Sequence, residues 1–135
     1  MYNNILVPVS FEEEQGTEKV LRAASSLACP DAVVTLLHVM GPVPGYAKSY
    51  FPKGYQDEAK ASIEASLEEM AAGLPNARGV VVEGNAGKVI LNWIRDNKID
   101  CVVMSSHKPG VHEFNLGSTA AFVVRHVRCA VHVAR

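Results

Sequence analysis

The amino-acid sequence predicts an α/β fold, with an open parallel sheet of five strands and helices on both of its faces. Five short runs rich in Val, Ile and Leu are separated by segments in which apolar residues recur at helical spacing. The first four runs are apolar almost without interruption, which is typical of parallel strands covered on both faces. Alternation of strands and helices along one chain indicates βαβ units.

We place the strands at the five apolar runs. They occupy residues 3–9, 32–39, 79–82, 101–104 and 129–133. The last run, CAVHV, alternates apolar and polar residues more than the others. This alternation favours a position at an edge of the sheet.

Four helices are predicted between and after these strands. The first extends from Thr17 to Ala28 and the second from Tyr55 to Ala72, with Gly73 as the C-terminal cap of the second. Apolar residues mark two shorter helices: Val89, Ile90, Trp93 and Ile94 in the third, and Ala120, Val123, Val124 and Val127 in the fourth. Residues 41–55 form a long irregular stretch, for which a functional lid and a plain surface connection both stay open.

Composition and charge are those of one folded domain that spans residues 1–135. Apolar residues make up 48% of the chain and charged residues 20%, which excludes the disordered class. The net charge of -1 gives no broad field that would attract nucleic acid or a membrane surface. Because the chain starts without a basic segment followed by an apolar one, and has no 18-residue apolar stretch, we expect a cytoplasmic protein. The three cysteines, Cys29, Cys101 and Cys129, have apolar neighbours and are interpreted as small core residues.

A polar loop after the fourth strand is the strongest candidate for a binding site. It begins with Ser105, Ser106, His107 and Lys108, and it leads to Gly117, Ser118 and Thr119 at the predicted start of the last helix. Free backbone N–H groups and the positive end of a helix dipole favour an anion there. Alternatively, Ser118 only caps the helix and Gly117 makes the turn. The loop leaves the carboxyl end of a strand, where parallel α/β sheets bind their ligands.

Other nucleotide and catalytic signatures are absent from the sequence. It contains neither GxxxxGK[ST] nor a GxGxxG after the first strand, so a P-loop NTPase and a dinucleotide dehydrogenase are not supported. The sequence GNAG at 84–87 is interpreted as a turn and helix cap. Because no residue set typical of catalysis or of metal binding stands out, we predict no catalytic residues and no metal ligands.

Taken together, these segments resemble the universal stress protein family over essentially the whole chain. The resemblance lies in ILVPV, LLHVM, VVEGNAGKVILNWI and GSTAAFVVRHVRCAVHVAR. Many nucleotide-binding members have GxxG, nine residues and then G[ST] after strand 4, whereas here Ser105 and Lys108 occupy the two early glycine positions. The segment SSHKPGVHEFNLGS is similar instead to the F/G-type variant, whose members still bind adenine nucleotides.

The resemblance implies the fold, the ligand and the residues that hold the ligand. It implies the strand order 3-2-1-4-5 and a nucleotide-dependent switch that binds ATP, ADP or AMP, with Mg²⁺ possible beside ATP. The implied nucleotide-binding residues are Pro8, Val9, Ser10, Val39, Ser105, Ser106, His107, Lys108, Gly117, Ser118 and Thr119. Ser10 replaces an aspartate that is usual in the family. The alternatives are a slow ATP hydrolase and a dimerisation module that binds no nucleotide.

The resemblance also implies a homodimer. In the family's strand order the fifth strand is an edge strand, and it would pair antiparallel with its copy. Val131 and Val133 would lie at the apolar centre of that contact, and His132 would point to the opposite face because side chains alternate along a strand.

Overall fold

A computed structural model of the chain describes residues 1–11, 14–41, 45–106 and 117–135. Strands and helices alternate along it. The strands are β1 (Tyr2–Pro8), β2 (Ala28–Met40), β3 (Ala77–Glu83), β4 (Cys101–Ser105) and β5 (Ala130–Ala134). The α-helices are α1 (Glu14–Leu27), α2 (Tyr55–Ala71), α3 (Ala86–Asp96) and α4 (Ser118–His126), and a 3₁₀ helix spans Gly45–Tyr50.

The five strands form one parallel sheet in the order β3-β2-β1-β4-β5. β1 lies at its centre, where Ile5 is paired with Val34 of β2 on one side and with Cys101 of β4 on the other. The predicted fold class, the strand order and the edge position of β5 are confirmed.

Alternating side chains of the strands build one apolar cluster on each face of the sheet. Ile5 and Val7 belong to the cluster that α1 and α2 cover, whereas Leu6 belongs to the cluster that α3 and α4 cover. The helices contribute the apolar residues expected from the sequence: Val20 and Ala24 from α1, Leu67 from α2, Ile90 from α3, and Ala120 and Val123 from α4. This two-sided burial explains why the central strands are almost continuously apolar.

The two faces determine where a ligand can enter. α1 follows β1 and packs on one face, while α4 follows β4 and packs on the other. The chain therefore leaves the neighbouring carboxyl ends of β1 and β4 towards opposite faces. This divergence opens a crevice beyond Pro8 and Ser105, as in other sheets of this type.

Several predicted boundaries were wrong. α1 ends at Leu27, and β2 already begins at Ala28. α2 is not capped by Gly73: the cap is Ala72 in right-handed geometry, and the chain first reaches a positive φ at Asn76. The left-handed residue between α2 and β3 is thus Asn76 rather than a glycine, because asparagine tolerates that region.

Two further expectations need correction. The stretch 41–55 is not wholly irregular, because it contains the 3₁₀ helix and the first residue of α2. Val127 does not belong to α4, since it is the C-terminal cap with φ -92° and ψ 154°, which is extended geometry.

The cysteines are all free thiols, as expected, but only one lies fully in the core. Cys101 is buried, whereas Cys29 and Cys129 are half-buried. Burial, with a smaller contribution from the nearby Cys129, raises the pKa of the Cys101 thiol to about 11. The thiol is therefore held in its neutral form.

In the part of the chain that the structure describes, we find no helix that is both long enough and apolar enough to cross a membrane.

Candidate functional site

A cavity of about 280 Å³ lies at the carboxyl end of the sheet. Its wall is built from the ends of β1, β2 and β4 and from the first turns of α1, α3 and α4. The predicted site residues found in its wall are Pro8, Val9, Ser10, Val39, Ser105, Ser106, Gly117, Ser118 and Thr119. His107 and Lys108 lie outside the described residues. The structure thus brings together every predicted site residue that it describes.

The end of β1 forms one side of the cavity. Pro8 is the last residue of the strand, and the next residue, Val9, continues the pairing with β2 by donating its N–H to the Leu37 carbonyl oxygen at 2.8 Å. Val9 is buried, while Ser10 is exposed. The chain therefore turns out of the sheet between these two residues.

The end of β4 and the start of α4 form the opposite side. The Ser106 N–H donates to the Ala134 carbonyl oxygen at 3.0 Å, which extends the pairing with β5 by one residue. The Ser106 carbonyl oxygen in turn accepts from the Gly117 N–H at 2.7 Å. Ser106 is almost fully buried, so both ends of the predicted binding loop are joined at a fixed point of the sheet.

The start of α4 differs from the capped alternative. The N-cap is Gly117, with extended geometry at φ -60° and ψ 158°, and as a glycine it has no side chain with which to cap the helix. Ser118 is already the first helical residue, so the proposal that Ser118 merely caps α4 is wrong. The first N–H groups of a helix have no intrahelical acceptor. Here they lie beside the cavity wall that Gly117, Ser118 and Thr119 form.

Three helices direct their amino ends at this cavity. Gly16 and Thr17 come from the first turn of α1, Ala86 begins α3, and Ser118 begins α4. At α3 the sequence GNAG is the turn and cap that was predicted, because the Asn85 side chain accepts a hydrogen bond from the Lys88 N–H at 3.1 Å. Each helix amino end carries a positive partial charge, so their convergence favours an anionic ligand.

The described part of the wall combines an apolar base with hydroxyl groups. Val7, Leu37, Ile90 and Met104 supply apolar surface, and several serines and threonines lie around it. None of the lining residues that the structure describes is an aspartate, glutamate, lysine or arginine. Such a wall can bind a flat apolar ring and an attached anion, but the described residues offer no carboxylate that could position a water molecule.

The described part of the same wall offers few ligands for a divalent cation. Within the ranges that the structure describes, no three His, Cys, Asp or Glu residues come together in a way that could hold a metal ion. Mg²⁺ prefers carboxylates and phosphate oxygens, and among the described lining residues there is no carboxylate to supply the charge. The described residues therefore do not form a metal centre by themselves.

Sequence reasoning missed several residues of the wall. The start of α1 has a glycine followed by a hydroxyl residue, Gly16 and Thr17, as does the start of α4. This shared pattern could have indicated that α1 also contributes to the site. His38 was also missed, although it stands out as a titratable residue within an apolar strand. Its Nδ1 lies 2.8 Å from the Val9 carbonyl oxygen, and its ring contacts Phe11 edge-on with ring centroids 5.0 Å apart.

Comparison with known proteins identifies the family of the chain. The model of the universal stress protein family matches residues 1–135. Universal stress protein G of Salmonella typhimurium is 30% identical over 145 residues, and the alignment covers 100% of both chains. Universal stress protein G of Escherichia coli O157:H7 is 28% identical with the same coverage. The predicted resemblance to the F/G type is thereby confirmed.

Solved structures share the fold. Universal stress protein UspA from Lactobacillus plantarum superposes with a TM-score of 0.77 at 23% identity, covering 99% of this chain and 98% of its own. A universal stress protein from Archaeoglobus fulgidus in complex with dAMP gives a TM-score of 0.69 at 18% identity, covering 99% and 98%. A family member from Arabidopsis thaliana with AMP bound gives 0.64 at 17% identity, covering 97% and 90%.

The matched family model, the full-length relatives and the shared sheet order agree with one another. The chain belongs to the universal stress protein family.

Proposed function

We propose that this protein binds an adenine nucleotide and acts as a nucleotide-dependent switch in the stress response, with one domain over residues 1–135. The observation that carries the proposal is the cavity itself. The described residues that the family resemblance assigns to the nucleotide all line it, and the amino ends of α1, α3 and α4 meet there.

The wall offers a place for each part of the ligand. The apolar base beside Val39 suits adenine, and the first turn of α4 suits phosphate, because Gly117 lets oxygen atoms come close to the backbone. Lys108 would add a positive charge to the phosphates from the loop that joins Ser106 to Gly117. The AMP and dAMP bound by the solved relatives support an adenosine phosphate as the ligand.

ATP, ADP and AMP are all included in the proposal. With ATP, a Mg²⁺ ion would be held mainly by the phosphates, and the hydroxyls of Ser118 and Thr119 are among the protein oxygens that the described wall could add. Because the described wall contains no carboxylate, we propose a binding protein rather than an enzyme. We further propose that it acts in the cytoplasm.

Occupancy can act as a switch because the ligand would bridge two separate parts of the chain. Val9 and Ser10 follow β1, whereas Ser106 and Gly117 join β4 to α4. A nucleotide that contacts both sides would favour the arrangement in which they are held together, and so would bias which surfaces are presented to partners.

The mass of the protein purified under native conditions tests this proposal. We expect an adduct with the mass of AMP, ADP or ATP, which denaturation releases. A protein that carries no nucleotide and gains none from a millimolar mixture of the three would instead be the dimerisation module. Steady release of phosphate from ATP in purified protein would identify the slow hydrolase.

A further inference from the structure

His38 makes two contacts at the exit of β1. Its Nδ1 lies 2.8 Å from the carbonyl oxygen of Val9, and its ring meets the ring of Phe11 in an edge-to-face contact with an interplanar angle of 63°. Val9 and Phe11 are the two chain neighbours of Ser10. One side chain on β2 therefore contacts the residues on both sides of Ser10.

The contact with Val9 determines which ring nitrogen of His38 carries a hydrogen. A carbonyl oxygen can only accept a hydrogen bond, so Nδ1 must carry the hydrogen. In the neutral ring this leaves Nε2 as an acceptor. Protonation of the ring would keep the bond to Val9, because both nitrogens then carry a hydrogen.

The bond from His38 to Val9 lies next to the last backbone bond that pairs β1 with β2. The last bond of that pairing is the donation from the Val9 N–H to the Leu37 carbonyl oxygen at 2.8 Å. The Val9 carbonyl oxygen is bonded by the side chain of the next residue on β2, which is His38. The N–H and the carbonyl oxygen of Val9 are thus both bonded to residues of β2, although Val9 lies one residue beyond the end of β1.

We infer that His38 is a positioning residue for the nucleotide site, which it serves by holding the Val9 to Phe11 segment against β2 through its Nδ1–H. This inference rests on the proposed function. His38 lines the cavity together with Val9 and Ser10. Without the bond from His38 the segment would be held less firmly against β2, and binding a nucleotide would have to restore its order.

Three substitutions separate this role from the alternatives. In His38→Asn the amide nitrogen is two bonds from Cβ, as Nδ1 is, so the variant retains a donor towards Val9. In His38→Gln the amide nitrogen is three bonds from Cβ, as Nε2 is, so the variant places a polar group where a direct ligand contact would be made. His38→Leu retains neither group.

The affinity for AMP is measured by calorimetry for the unmodified protein and each variant. We expect His38→Leu and His38→Gln to bind AMP about three- to tenfold more weakly, the equivalent of one hydrogen bond, and His38→Asn to stay close to the unmodified protein. Rescue by Gln but not by Asn would overturn the proposal in favour of direct contact through Nε2. Equal binding by all variants, or equal loss in all three, would overturn it as well.

Hydrogen exchange in the nucleotide-free protein provides a readout that is independent of binding. The Val9 amide should exchange about three- to tenfold faster in His38→Leu than in His38→Asn, because loss of the anchor lowers the cost of local opening. The Val34 amide, which donates to the Asn76 carbonyl oxygen at 3.1 Å, is the control and should not change. An unchanged exchange rate of the Val9 amide in His38→Leu would contradict the proposal that His38 holds Val9 in place. If the unmodified protein binds no AMP but the Val9 amide still exchanges faster in His38→Leu, the proposed function is wrong. The bond from His38 to Val9 would then have a structural role only.

Discussion

The amide nitrogen of Gly117 lies 2.7 Å from the carbonyl oxygen of Ser106, so the chain returns to the point at which it left the sheet. Ser106 is itself bonded to the edge strand through Ala134. Ser106 and the start of α4 are therefore fixed relative to the sheet. The positive end of α4 is held beside the carboxyl ends of β1 and β4 by this bond.

Replacing Gly117 by valine tests the role of the start of α4. Gly117 has φ -60° and ψ 158°, a geometry open to any residue, so the variant should keep its fold and its unfolding temperature. Its branched side chain should keep phosphate away from the backbone N–H groups. Loss of one charge-assisted hydrogen bond weakens binding by roughly tenfold or more, and we expect at least that for AMP by calorimetry.

Gly45→Val is the matched control for this variant. Gly45 begins the 3₁₀ helix, and an added Cβ there would meet no atom of the described residues within 4 Å. The control should bind AMP as the unmodified protein does. If Gly117→Val has the same affinity as this control, the phosphates bind elsewhere.

Gly79→Ala should destabilise the fold, because helix α2 packs directly on the backbone of β3. A Cβ at Gly79 would overlap the Cβ of Leu67 and would lie 3.1 Å from the carbonyl carbon of the same residue. Overpacking of this kind costs about 1–3 kcal/mol of unfolding free energy, which urea denaturation can measure. Gly73→Ala is the control, since its Cβ would be 3.6 Å from the nearest atom. Equal stability of the two variants would contradict the close packing of α2 on β3.

Stability should fall at alkaline pH in part because of Cys101. Burial raises the pKa of this thiol from 9.0 to about 11, so the folded state retains a proton that the unfolded chain gives up. The stabilisation is complete below the unfolded value and is lost as pH rises from 9.0 to about 11. Cys101→Ala lacks this titration, and we expect its unfolding free energy to decline less over that range. The comparison is between slopes, since the smaller side chain also lowers stability at every pH. Parallel slopes would show that the thiol does not contribute.

The sequence allowed the sheet to be predicted because its central strands are buried on both faces. Ile5, Leu6 and Val7 are adjacent in the chain yet alternate between the two apolar clusters, and such a run is typical of a parallel strand covered on both faces. The site was predictable for a related reason. Polar and small residues at the carboxyl ends of β1 and β4 have no role in the core, so Ser105, Ser106 and Gly117 stood out.

Features that depend on contacts distant in sequence could not be predicted in this way. The role of His38 arises from Val9 and Phe11, which approach it only when β1 and β2 pair. Local preference predicts Gly73 as the helix cap, but the cap is Ala72 and the left-handed residue is Asn76. Helix ends are decided by the nearest few residues and by packing together, so composition alone leaves them uncertain by a few positions.

We predict a homodimer that forms through the edge strand β5. Val131 packs against the cluster of α3 and α4, and Val133, two residues further on, lies on the same face of the strand, whereas His132 is exposed. Light scattering at micromolar concentration should give twice the chain mass of 14.5 kDa. Val131→Pro removes a backbone donor from the strand and should shift the protein towards the monomer. A mass near 14.5 kDa for the unmodified protein would rule out a stable dimer.

Calorimetric titration of the unmodified protein with AMP, ADP and ATP, followed by NMR of the backbone amides, tests the central claim most directly. We predict saturable binding of one nucleotide per chain and amide shifts that concentrate at Val9, Ser106, Gly117 and Thr119, which line the cavity between β1 and β4. The amides of the 3₁₀ helix, Gly45–Tyr50, should stay unchanged. No heat with any of the three nucleotides at millimolar concentration, or shifts confined to residues outside the cavity wall, would contradict the claim.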